Sequence, residues 1–101
     1  MRVLIYMELD TPTANPHVAS GEIGSQIGHA LEMLKPEAAY FFPRGGRRAA
    51  IVVCDLADTA SIVPTIEPLW LQLNAHVEMI PCMNTDDINE GITRLLAGMP
   101  S

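Results

Sequence analysis

The sequence predicts an α+β domain ordered β-α-β-β-α-β, with one further helix at the end. Three observations carry that prediction. Within residues 47–56, the run Ala49–Cys54 is apolar on both strand faces, as is the run 3–7, so each needs cover on both sides. Two other strand-like runs carry a proline, Pro43 and Pro81, which a sheet tolerates at its edges. Two stretches with apolar residues at helical spacing separate the strands.

The first strand spans residues 2–9. Asp10 to Pro16 reads as a loop, because it holds two prolines and several turn formers. A helix is expected from about His17 or Ser20 to Lys35, with Ile23, Ile27, Ala30, Leu31 and Leu34 as its stripe. Gly21, Gly24 and Gly28 weaken it by about 1 kcal/mol each relative to alanine. Their lack of side chains suggests a close approach to the sheet. Pro36 ends the helix.

The second strand covers residues 38–43. Gly45-Gly46 predicts a two-residue hairpin, since such turns need positive φ. The third strand follows: Ala49, Ile51 and Val53 point to one face, and Ala50, Val52 and Cys54 to the other. Asp58, Thr59 and Ser61 are possible caps for a helix within about 60–73. Its stripe is Ile62, Ile66, Leu69, Trp70 and Leu73. Pro68 predicts a kink or a late start. The fourth strand spans 75–82. Thr85 caps a final helix to about Leu96, with Asp86 and Asp87 favoured by the dipole of its first turn. Its stripe is Ile88, Ile92 and Leu95, and the tail from Gly98 frays.

This order is the split βαβ, or ferredoxin-like, arrangement. It places the first and third strands centrally and the second and fourth at the edges. Both long helices then pack on one face, leaving the other open. Leaving apolar surface wet forgoes about 25 cal/mol per Å². A second copy placed sheet against sheet is the economical cover, so a homodimer through the open face is expected.

Composition bounds the function. At 101 residues the chain is one domain, 1–101. Its 49% hydrophobic and 18% charged content is apolar for so small a domain and points to a subunit interface. A net charge of −6 disfavours nucleic acid and anionic membranes as partners. No apolar run reaches the ~20 residues of a membrane span. The N-terminal apolar run is too short for a signal peptide. Two cysteines form no disulfide framework, so a cytoplasmic location with reduced thiols is expected. Cys54 is read as buried and inert.

The candidate chemistry lies on the last strand. His76 and Glu78 share a strand face about 6.5–7 Å apart, with Val77 and Met79 on the helix side. A histidine beside a carboxylate carries protons near neutral pH. The competing role is an exposed edge pair or a polar dimer contact. Tyr40 and Trp70 could flank a cyclic ligand, or simply pack. Arg44, with Arg47 and Arg48, could hold a carboxylate or phosphate bidentately, or keep a hairpin tip soluble. His29 reads as a helix-flank residue and His17 as exposed. The three histidines are scattered and Cys82 has none at ligand spacing, so no metal site is expected. Neither a phosphate loop, a nucleophile elbow nor a dinucleotide fingerprint occurs, so no cofactor is expected.

On element order and pattern over residues 1–97, the chain resembles the dimeric α+β barrel superfamily. The segment Trp70-Leu-Gln-Leu-Asn-Ala-His-Val-Glu-Met-Ile-Pro-Cys82 is similar to the junction of second helix and fourth strand in that group. The resemblance implies a small-molecule binding protein or a cofactor-independent enzyme, isomerase or monooxygenase-like, acting on a small apolar metabolite. It implies a pocket between sheet and helices or inside the barrel. His76 and Glu78 would then be the proton-transfer groups, with Tyr40, Trp70 and Arg44 as ligand contacts. The alternative is a non-catalytic homodimeric assembly or regulatory module.

Overall fold

A computed structural model describes residues 1–100. The strands are β1 (Arg2–Glu8), β2 (Ala38–Arg44), β3 (Arg47–Asp55) and β4 (His76–Pro81). The helices are α1 (Thr11–Ser20), α2 (Glu22–Leu34), α3 (Ile62–Leu73) and α4 (Thr85–Gly98), with a 3-10 turn, Thr59–Ser61, leading into α3. The sheet is four-stranded and antiparallel throughout, in the order β2-β3-β1-β4. The doubly apolar strands are therefore central and the proline-bearing strands are the edges, an order compatible with the ferredoxin-like expectation.

Strand parity sorts the side chains into two faces. Val3, Ile5, Ala50, Val52 and Cys54 share one face, and Val3, Ile5, Cys54 and Leu56 form the buried core there. Ile62 of α3 and Leu34 of α2 pack against it, together with Met7, Val77 and Met79. Leu4, Tyr6, Ile51 and Val53 share the other face, which no helix covers. Ile80 on that face is half exposed.

Five local expectations are corrected. Residues 11–16, expected as a loop, are helical as part of Thr11–Ser20: Asp10 caps the helix by accepting from the Thr13 backbone N–H and hydroxyl. Pro12 sits in the first turn, where its missing N–H costs nothing. The long helix is broken at Gly21, whose φ of +84° is the left-handed conformation glycine adopts freely. The glycines of α2 mark no close approach, since a Cβ at Gly24 or Gly28 would meet nothing within 4 Å. Helix α3 begins at Ile62, after Asp58 caps the turn, and runs through Pro68 to Leu73 without the late start that Pro68 predicted. Helix α4 is capped by Asn84, not Thr85, in a reciprocal box with Asp87.

The hairpin is as expected, with Gly45 and Gly46 at φ +57° and +77°. The body stays loosely closed. Helix α2 and helix α4 bury none of their residues. The molecule measures 63 × 28 × 18 Å with a radius of gyration of 16.8 Å, against about 13 Å for a compact 100-residue domain. Helix α4 leaves its own open sheet face uncovered.

Candidate functional site

Register decides which side chains meet on the open face. Tyr40 pairs with Ile51, Ile51 with Tyr6, and Tyr6 with Glu78, so these four form one row across the sheet. The next row is Phe42, Ala49, Glu8 and His76. Directly opposed residues in an antiparallel pair have Cβ atoms about 4.5–5.5 Å apart. Tyr6, Glu8, His76 and Glu78 thus form a polar quartet on β1 and β4, beside an apolar floor of Leu4, Ile51, Val53 and Ile80.

Each member has a physical setting. His76 Nε2 lies 3.2 Å from Glu78 Oε1, so the strand-face pair expected from sequence is a direct contact, and it is solvent-exposed. Tyr6 is only 8% exposed although no helix covers it. The Arg44 guanidinium stacks over its ring, 5.1 Å from the centroid, and the Phe42 ring lies 6.5 Å away. The Tyr6 hydroxyl is buried and, among the described residues, none meets full hydrogen-bond geometry with it, although Glu8 and Arg44 both act on it. That burial pushes its pKa up, Glu8 adds to the rise, and Arg44 opposes it. The phenol therefore holds its proton at neutral pH.

Tyr40 also lies on this face and is 69% exposed. Trp70 is on α3, behind the sheet, so the two aromatics are not brought together. Arg44 reaches the quartet's edge through Tyr6. Arg48 points to the helix side, where its guanidinium donates twice to Asn15 Oδ1 at 3.1 Å. His17 Nδ1 meets Gln26 Nε2 at 3.2 Å, on the outer helices. Burial raises the Cys54 thiol pKa, which keeps it protonated. Sequence reasoning did not single out Tyr6 and Glu8. Their signal was parity: once β1 and β4 are paired antiparallel, residues 6 and 8 share the face of 78 and 76.

A second feature lies behind the sheet. A cleft of about 1410 Å³, open on one side, separates α2 from α3 and the sheet. Ile27 and Leu31 form one wall, Leu69 and Leu73 the other, and Ala50 and Val52 the floor. His76, Glu78, Tyr40, Trp70 and Arg44 do not line it.

Comparison with known proteins returns no match among family models, curated proteins or solved structures. The site therefore rests on geometry alone.

Proposed function

We propose that this chain is a homodimeric, cofactor-independent protein of the dimeric α+β barrel type, binding a small apolar metabolite on the open sheet face and moving a proton on it. One observation carries the reading: an ionisable pair, His76 with Glu78, shares a face and adjacent rows with a buried phenol that keeps its proton. A histidine held by a carboxylate accepts a proton from an activated carbon. The Tyr6 phenol donates a hydrogen bond to the oxygen where charge develops. Returning the proton to a second carbon completes an isomerisation with no net redox change.

The same face needs a cover, and a second copy fits it by charge. Arg44 lies on the β2 edge, whereas Glu8 and Glu78 lie toward the β4 edge. A two-fold axis parallel to the strands places β2 of one sheet over β4 of its partner, so opposite charges meet. Packed sheets lie about 10 Å apart, which leaves the polar quartet at the margin of an enclosed apolar space.

The test uses a panel of small unsaturated lactones and phenols with isotopically labelled protein. Shifts centred on Tyr6, His76 and Glu78, and His76-dependent deuterium uptake into a lactone from D₂O, support the reading. Shifts confined to α2 and α3, or none, overturn it.

A non-catalytic assembly module is the second reading. Ile88, Ile92, Leu95 and Leu96 exposed along α4 favour it. A dimer that binds none of the panel would select it.

A further inference from the structure

Helix α4 carries an apolar stripe that stays exposed. Ile88, Ile92 and Leu95 fall at i, i+4 and i+7, and Ile92 and Leu95 are 47% and 61% exposed. That spacing is the anchor pattern by which an amphipathic helix enters a groove. The cleft behind the sheet is the reciprocal feature. At about 1410 Å³ it exceeds the roughly 300–1,000 Å³ of small-molecule sites. A cleft of that size has room for a helix.

We infer that the cleft receives helix α4 of a second copy of this chain, reciprocally; this rests on the homodimer proposed above. Three observations favour that occupant. The first is topological. Helix α4 follows β4 after Cys82–Asn84, and α3 packs against β4. Its own α3 thus stands between α4 and its own cleft. Setting β4 over the partner's β2 instead brings α4 to the β2 edge of the other copy, where Phe41 borders the cleft.

The second is length. The 14 residues of α4 span about 21 Å and the 13 residues of the α2 wall about 20 Å. The third is charge. Helix α4 bears Asp86, Asp87 and Glu90 against Arg94, a net of −2. The cleft is bordered by Arg47 and Arg48 against Asp55, so its sign is opposite.

The experiment mixes two full-length variants on a Cys82→Ser background, one with Ile92→Cys and one with Ile27→Cys, under copper-phenanthroline oxidation. Cys54 is buried and stays out of the reaction. The expected result is a reducible band at about 22 kDa, twice the 11.0 kDa chain, that neither variant gives alone. The double variant Ile27→Cys/Ile92→Cys cross-linking within one chain overturns the inference. So does absence of the band while the solution mass stays dimeric, an outcome that spares the sheet-face dimer. A monomeric mass with no band overturns both. Separately, Ile92→Asp/Leu95→Asp places charge on residues outside the folded body. It is expected to weaken dimerisation at least ten-fold, and unchanged dimerisation overturns the inference.

Discussion

Tyr6 stands directly opposite Glu78 on the antiparallel strands β1 and β4. Its hydroxyl is buried and meets full hydrogen-bond geometry with none of the described residues, whereas the Glu78 carboxylate is engaged by His76. A buried hydroxyl short of full hydrogen-bond geometry contributes little to folding. Tyr6→Phe is expected to keep the fold and to melt no lower than the parent. It should also remove proton-transfer activity. An absorbance titration should show a phenol ionising above the usual value of about 10, lost in the variant. A lower melting temperature with activity intact would assign Tyr6 to packing.

His76 is expected to be dispensable for folding because its side chain is exposed. His76→Ala should retain secondary structure, solution mass and melting behaviour while losing deuterium uptake. Loss of the dimer would place His76 in the interface instead.

The two faces of β3 are separable by single charges. Val52 is buried on the helix side at 3% exposure, so Val52→Asp leaves an uncompensated buried charge that costs about 3–5 kcal/mol. Much of a small domain's stability is then gone, and unfolding by circular dichroism is expected. Ile51 lies on the open face and is half-buried. Ile51→Asp is expected to leave the monomer folded and to abolish the dimer.

Asp10 gives a pH dependence. Hydrogen bonds from the Thr13 hydroxyl and backbone N–H hold its carboxyl below the usual value. A depressed folded-state pKa means the stabilisation is fully present above the unfolded value of about 3.9. It fades as pH falls through the lower folded value. Wild type should therefore exceed Asp10→Asn in melting temperature at pH 7, with the gap closing below about pH 4. A gap that widened in acid would contradict the cap.

Gly46 holds φ +77° at the hairpin tip. A side chain there has space but the wrong backbone conformation, and Gly46→Ala is expected to cost about 1–2 kcal/mol. Denaturant melts would measure it, and no change would show the turn can relax.

Much of this was readable from residue order. Two-faced apolarity fixed β1 and β3 as central, and Pro43 and Pro81 marked the edges, because backbone hydrogen bonding constrains proline wherever it falls. The Thr11–Ser20 helix was hidden for the converse reason. Its two prolines look like breakers, yet Pro12 occupies a first turn and Pro16 gives up one bond inside a helix secured by Asp10. His76 and Glu78 were legible from period-two parity alone. Tyr6 and Glu8 required the β1–β4 register, which is a long-range fact. The glycines of α2 misled because small residues permit close packing without requiring it.

The solution mass of wild type and Ile51→Asp at low micromolar concentration, by light scattering behind a sizing column, tests the sheet-face dimer most directly. About 22 kDa is expected for wild type, twice the 11.0 kDa chain, and a folded monomer for Ile51→Asp. A monomeric wild type, or a dimer indifferent to Ile51→Asp, would contradict it.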